Sequence, residues 1–429
     1  MAPRSPSSAT CGGGLLTFLA GALLASVYFL LKKRRNTPYL ELDLDALPPL
    51  GEELRTLAGL TDGAVTTGNA CQVLQDGALF PAMEADIAAA TCAIHLETFV
   101  WTAGEVERRF VELLSRKARE GVKVRVLIDA MGSVGADDRN LERMAEAGVQ
   151  LSLYCKPRWW NLHRFNHRTH RKLLIVDGVI GYTFGHGIAD QWLGHGQDEK
   201  HWRDTAVRVE GPAVQALQSV FIENWIEESH CVPAGDGCFP ELKVRGDSDA
   251  HVVSSASGDA VSSVALLYTI AIACAKREVI IQNPYFAPDD GMCELLAMMA
   301  RRGVAVHLML PGQHTDSPFV RRAGCRLYEQ LLAGGVRLYE FMPTLIHQKI
   351  VIVDEIWSHI GSTNFDSRSL SLNEEVGIGI RDAKIAGQLK AAFESDLQRS
   401  RELTLQAWRR RPWYSRSFDW IAYQVHDQL

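Results

Sequence analysis

Residues 170–183 read HRKLLIVDGVIGYT and residues 347–375 read HQKIVIVDEIWSHIGSTNFDSRSLSLNEE. Both open on His-x-Lys-x-x-x-x-Asp: His170, Lys172 and Asp177 in the first, His347, Lys349 and Asp354 in the second. Each continues as an apolar, β-branched run, which predicts a buried strand. Side chains alternate along a strand, so His and Lys of each motif are expected on one face. Each Asp falls at the strand end, and Asp177-Gly178 predicts a hairpin turn there. From average residue usage one such spacing arises by chance in roughly one of thirty chains of this length. Two copies at matching points of a repeat are far more specific.

The repeat is visible around the motifs. AAATCAIHLETFVW (88–101), VERRFVELLSRKAREG (106–121) and VKVRVLID (122–129) read strand, helix, strand. AIACAKREVIIQNPYFAP (271–288), GMCELLAMMARRG (291–303) and VAVHLMLP (304–311) repeat that order. Gly121 and Gly303 sit where a helix ends on a C-cap glycine. A further helix and strand follow in each half: NLERMAEAG into VQLSLY, and RAGCRLYEQLLAGG into VRLYEF. The expected fold is α/β, two helix-covered sheets facing each other as a pseudo-dimer with a shared site. The expected boundaries are an anchor at 1–40, a first domain at 41–240, a second at 241–400 and a tail at 401–429.

Composition agrees with a globular chain. At 429 residues, 47% hydrophobic and 22% charged, it is long enough for two cores. Its net charge of −6 argues against a generic nucleic-acid surface, so no nucleic-acid partner is expected. Nine cysteines are scattered with no Cys-x-x-Cys pair, a pattern that suits a reducing compartment rather than a zinc site or a disulfide framework.

Gly14 to Leu31 carries no charge and is followed at once by Lys32, Lys33, Arg34 and Arg35. As a helix it would span about 27 Å at 1.5 Å per residue, close to a bilayer core. A signal peptide would carry its positive charge before the apolar run, so a single-pass anchor is the favoured reading. The charge bias then places the bulk of the chain in the cytoplasm.

Histidine suits nucleophilic or acid/base work at neutral pH. A lysine two residues on can hold a phosphate oxygen and stabilise developing charge. Two histidines allow a two-step displacement at phosphorus: one attacks, while the other protonates the leaving alcohol and then activates the acceptor. No His-Glu-x-x-His or Asp-rich cluster appears, so neither a metal nor another cofactor is called for. Each motif Asp is better suited to ordering backbone and basic groups at its strand end.

These motifs resemble the phospholipase D superfamily, and within it bacterial cardiolipin synthases, over about residues 70–400. The second motif carries Gly361, Ser362, Asn364, Asp366, Arg368, Ser369 and Asn373 of the family pattern. QNPYFAPDD (282–290) and LLAGGVRLYEF (331–341) are also typical of those synthases. The resemblance implies a covalent phosphatidyl-histidine intermediate without a metal, phosphatidylglycerol as donor, and phosphatidylethanolamine as a conceivable second lipid. It implies a bacterial inner-membrane location, with Ser362 and Asn364 supporting the site. It further implies an acid behind each histidine: Asp204 for His170, by the WRDTAVRVEGPA segment, and Glu375 for His347, with Glu374 adjacent. It gives His170 a slight edge as nucleophile. A phospholipase D hydrolase and a membrane-tethered nuclease use the same motifs. One departure stands out. Phe184-Gly185-His186-Gly187 replaces the usual Gly-Ser-x-Asn or Gly-Gly-x-Asn sequel of the first motif, so Gly187 stands where Asn is expected.

Two further stretches mix cations with aromatics. One runs from Lys156 to Lys172, with Trp159 and Trp160. The other is the tail, with Arg409, Arg410 and Arg411 ahead of Trp413, Tyr414, Phe418 and Trp420. Either suits anionic headgroups, and the tail reads equally as a segment packed on the domain.

Overall fold

The computed structural model describes Gly21 and residues 43–45, 47–156, 167–233, 235, 237–256 and 262–424. The expected anchor helix, apart from Gly21, and most of the basic stretch 156–172 lie outside the described residues. No described helix is long and apolar enough to cross a membrane.

The first half contributes strands β1 (Val65–Gln75), β2 (Ala93–Thr98), β3 (Lys123–Asp129), β4 (Gln150–Tyr154), β5 (Leu173–Val176), β6 (Ile180–Phe184) and β7 (Thr205–Glu210). The second contributes β8 (Ser248–Ser255), β9 (Glu278–Gln282), β10 (Phe286–Ala287), β11 (Ala305–Pro311), β12 (Arg337–Phe341), β13 (Ile350–Val353), β14 (Trp357–Gly361), β15 (Phe365–Asp366), β16 (Glu375–Arg381) and β17 (Ser400–Leu403). In the first half the order is β1-β7-β6-β5-β2-β3-β4, and in the second β8-β16-β14-β13-β9-β11-β12-β17. The two orders correspond strand for strand, with β17 added at the far edge. In both, the three strands joined through helices are parallel and the hairpin strands antiparallel.

The halves are not separate sheets, as the sequence suggested. β1 pairs with β7 over Ala70–Gln75 and with β8 over Val65–Asn69, so hydrogen bonding runs unbroken through fifteen strands. An irregularity between Thr66 and Asn69 lets the long strand bend from one half into the other. Gly68 lies there at φ +84°, a left-handed conformation that costs other residues more.

Burial sorts the molecule into layers. A central core holds Leu173, Ile175 and Val207 of the first half with Ile350, Ile352 and Ile378 of the second. Helices Val214–Ser229 and Ala383–Leu397 add Phe221, Trp225, Leu389 and Phe393 to it. An outer core on each side is closed by helices such as Glu105–Arg119 and Asp290–Arg301. β5 and β13 face a central and an outer core at once, so both need apolar residues at every position. The helices end on Gly121 at φ +93° and Gly303 at φ +94°, as their positions predict.

Candidate active site

Both motif histidines sit three residues ahead of their strands. β5 starts at Leu173 and β13 at Ile350, so His170, Lys172, His347 and Lys349 precede the ladders. The reason is that the backbone here pairs with the opposite half. The His170 amide donates to the Glu374 carbonyl at 2.8 Å, and the Glu374 amide donates to the Arg168 carbonyl at 2.9 Å. In the mirror arrangement the His347 amide donates to the Arg203 carbonyl at 2.7 Å, and the Arg203 amide to the Leu345 carbonyl at 3.0 Å.

This crossing decides which acid meets which ring. Nδ1 of His170 lies 3.0 Å from both carboxylate oxygens of Glu375. Nδ1 of His347 lies 2.8 Å from Oδ2 of Asp204. The pairing is therefore opposite to the one read from the sequence, which joined Asp204 to His170 and Glu375 to His347. Each acid directly follows the residue that bridges to the other half, Glu374 or Arg203, and so lands beside the foreign imidazole. Glu374, the adjacent alternative, instead pairs with the buried Arg171 at 3.0 Å.

An acid on Nδ1 leaves Nε2 to face a substrate. The two Nε2 atoms differ. That of His170 carries no hydrogen bond among the described residues. That of His347 lies 3.2 Å from Nζ of Lys349, which also approaches its Nδ1 at 2.9 Å. Each lysine donates to the carbonyl of its own motif histidine, Lys172 at 2.7 Å and Lys349 at 2.6 Å. All four side chains are buried.

Burial dominates their ionisation. It pushes His170 down to about 4 and His347 down to about 3, against the pull of the paired carboxylates. It lowers Lys172 to about 7 and Lys349 to about 8, opposed chiefly by Glu375 and Asp204 respectively. Burial alone would raise the two acids, yet the facing imidazoles and lysines hold both below the usual carboxylate range. Lys349 acts on His170 and Lys172 acts on His347. The four groups thus form one electrostatic unit spanning both halves.

Asp177 and Asp354 do different work. Oδ1 of Asp177 accepts the amides of Cys92 and Ala93 at 2.8 and 2.9 Å, and Oδ2 accepts the Thr91 amide at 2.8 Å and its hydroxyl at 2.9 Å. Asp354 accepts the amides of Lys276, Arg277 and Glu278 at 2.7–2.9 Å. Each carboxylate thus ties the start of a neighbouring strand, β2 or β9, to the motif hairpin. Both hairpin turns are left-handed at two positions, Asp177 with Gly178 and Asp354 with Glu355.

The sequel of the motifs is where the halves diverge. Ser362 donates its hydroxyl to Glu375 and accepts the Val376 amide at 3.0 Å. Gly185 occupies the equivalent place, and a Cβ there would lie 2.3 Å from Oδ1 of Asp204. The donor to Asp204 comes instead from the Trp192 indole, Nε1 to Oδ2 at 2.9 Å. Asn364 is buried, with its side-chain oxygen unpartnered. Its counterpart Gly187 has no room for a side chain: a Cβ would sit 2.6 Å from that of Val100 and 2.9 Å from the Trp192 ring. Trp192 thus fills the space of the missing Asn and supplies the missing donor. His186, next to Gly187, lies outside any strand or helix yet is fully buried, and it hydrogen-bonds the Asp76 carbonyl at 2.9 Å.

Several neighbours carried no sequence signal. Trp192 and Trp202 flank the His347 ring at 5.3 and 5.4 Å, and Phe99 lies 5.3 Å from the His170 ring. Arg203 is held by Asp76 and Asp396, both at 3.0 Å, which fixes the segment leading into Asp204.

Comparison with known proteins supports the repeat. The family model described as cardiolipin synthase, PLD-like domain, matches residues 83–225 and 268–397. The chain is 34% identical over 356 residues to the major cardiolipin synthase ClsA of Bacillus subtilis, covering 82% of this chain and 73% of that protein. It is 34% identical over 364 residues to cardiolipin synthase 1 of Staphylococcus epidermidis, covering 84% and 74%. Among solved structures, the phosphatidylserine synthase of Haemophilus influenzae shares the fold at a TM-score of 0.61 and 13% identity, covering 84% of this chain and 95% of that one.

Proposed function

The chain belongs to the cardiolipin synthase family of phospholipase-D-like proteins, and from that premise we propose that it transfers a phosphatidyl group from one phosphatidylglycerol to another at a bilayer. The observation that carries the reading is the crossed pair of carboxylate-bound histidines, each with a buried lysine of its own motif.

His170 is the nucleophile in this proposal, because its Nε2 lone pair is not engaged by an ammonium donor. It attacks the phosphorus of the first phosphatidylglycerol. The P–O bond to glycerol breaks, and His347 delivers the proton that releases glycerol as a neutral alcohol. An arriving phosphodiester makes His347 easier to protonate, because its negative charge offsets Lys172 and Lys349. Neutral His347 then takes the proton from the hydroxyl of a second phosphatidylglycerol, whose oxygen attacks the phosphatidyl-histidine. Cardiolipin leaves and His170 is restored. The lysines hold the phosphoryl oxygens. The Asn364 amide completes the pocket, while Asp177 and Asp354 fix the motif hairpins. The apolar stretch 14–31 would keep the enzyme at the cytoplasmic face of a bacterial inner membrane.

The test is lipid mass spectrometry of the purified chain in phosphatidylglycerol bilayers, with and without phosphatidylethanolamine. Cardiolipin and free glycerol are the expected products. Phosphatidic acid in their place would make the protein a hydrolase, and no diphosphatidyl product in any mixture would overturn the proposal. Peptide mapping of a reaction quenched with denaturant at neutral to mildly basic pH, where the phosphorus–imidazole bond survives, is expected to find the modified histidine at His170; modification at His347 would reverse the assignment.

A further inference from the structure

The helix Trp413–Tyr423 is mounted inside out. Its face toward the protein is small or polar: Ser415, Asp419 and Ala422, the last two fully buried. Asp419 is held by Arg322 at 3.2 Å and Arg411 at 2.8 Å, and Arg322 also donates to the Ser415 hydroxyl at 3.0 Å. Tyr423, at the end of the helix, packs against the second-half core and donates to Asp290 at 3.3 Å, but the other large side chains point outward. Trp413 is 78% exposed, Tyr414 64%, Phe418 51%, and Trp420 and Ile421 both 54%. At 100° per residue these five fall within a sector of roughly 160°, the width of a buried face. A soluble helix does the reverse, and so large an apolar stripe marks a surface that docks on something.

The surroundings indicate what it docks on. Although the whole chain is acidic at −6, this flank carries exposed Arg326, Arg409, Arg410 and Arg416. Arg326 and Arg410 make no ion pair among the described residues. An open cavity of about 570 Å³ beside the helix is lined by Arg326, Arg411 and Arg416, by Asp419 and Glu329, which pair with the last two, and by Trp420 and Ile421. Arginines around tryptophan and tyrosine on a helix suit the headgroup layer, where amphipathic rings sit at the interface and cations meet anionic lipid. The helix also connects with the candidate site. It packs on helix Pro318–Cys325, which packs on β10. β10 pairs with β15, whose Asp366 acts on Lys349.

We propose that the helix Trp413–Tyr423 is an interfacial docking element that lies in the headgroup layer of an anionic bilayer, with its aromatic face toward the acyl chains and the flanking arginines on the lipid phosphates. The proposal rests on the lipid-substrate reading above and adds a second membrane contact, near the second motif.

Hydroxyl-radical footprinting of the full chain tests it, in lipid discs holding a single chain each. In discs of equal parts phosphatidylcholine and phosphatidylglycerol, labelling of Trp413, Tyr414, Phe418 and Trp420 is expected to fall about fivefold or more against Phe239, an exposed reference at 51% far along the sequence. Labelling equal to Phe239 would overturn the proposal, as would protection that appears only with two chains per disc, which would mark the face as a self-association surface. A triple variant, Trp413→Ser with Trp420→Ser and Ile421→Ser, should lose turnover on disc phosphatidylglycerol by about fivefold or more and keep turnover on dispersed short-chain phosphatidylglycerol. Equal loss on both would sink the docking role. Protection without any cardiolipin formed would leave the helix assignment standing and remove the functional reading alone.

Discussion

Nδ1 of His347 lies 2.8 Å from Oδ2 of Asp204, a carboxylate 143 residues earlier in the chain and in the other half of the molecule. The reciprocal contact joins His170 to Glu375 across 205 residues. Neither motif histidine finds its acid within its own half. The two halves must therefore fold against each other before either imidazole is oriented, which explains why the site lies where their backbones bridge.

Asp204→Asn and Glu375→Gln should each lower kcat by about a hundredfold or more with little change in KM, because each acid orients a reacting histidine, the acid/base His347 or the nucleophile His170, rather than binding lipid. Isotope-edited imidazole NMR checks the crossing directly. Glu375→Gln should shift the ring nitrogens of His170 much more than those of His347, and Asp204→Asn should do the opposite. The reverse pattern would mean that the pairs lie within halves.

Asp177→Ala should cost stability before chemistry. It removes an acceptor for three backbone amides and a hydroxyl, and it places alanine at φ +52°. A loss of about 2–4 kcal/mol is expected from a charged acceptor left out of such a cluster. Urea unfolding measures it. Turnover per folded molecule should stay within about tenfold of the parent; a collapse in turnover at full stability would put Asp177 in the reaction itself.

Restoring the family residue at position 187 should be harmful. Gly187→Asn forces a Cβ into the space of Val100 and Trp192, and overpacking of this kind costs about 1–3 kcal/mol. Trp192→Phe keeps most of the packing but removes the indole donor to Asp204, so it should reduce kcat with the melting temperature nearly intact. Melting curves and initial rates separate the two effects. A more stable, more active Gly187→Asn protein would show that the tryptophan does not stand in for the asparagine.

Stability should fall as pH drops below about 6.5, the ordinary histidine value. His95, His170 and His251 are lowered to about 4, and His347 and His359 to about 3, in every case first by burial. Between 6.5 and about 4 the unfolded chain takes up protons that the native state refuses. Each imidazole then removes about 1.4 kcal/mol per pH unit. Glu97 and Asp366, raised by burial to about 7, work in the opposite sense over this window, and the five histidines outnumber them. Denaturant titrations at pH 7.5, 6 and 5 test the sign; constant stability across that series would mean that the buried rings are already charged at neutral pH.

Much of the molecule was legible in the linear chain because its signals are local. Strand periodicity, cap glycines and the Asp177-Gly178 turn depend on neighbours a few residues apart, and the duplicated motif exposed the repeat. The pattern also placed His beside Lys, since two-residue alternation is a property of any extended backbone. It overran the strand starts, because it could not register that residues 168–170 and 345–347 bridge to the opposite half instead of to their own sheets.

The paired His-Lys-Asp motifs, their spacing and the asymmetry at Gly187 were determined by the sequence by itself. Only the tertiary structure decided which carboxylate serves which histidine, that fifteen strands form one continuous sheet through β1, and that Trp192 fills the place of the missing side chain. Those outcomes depend on contacts between residues more than a hundred positions apart, and on the space left once both cores are packed. A spacing rule carries no record of either.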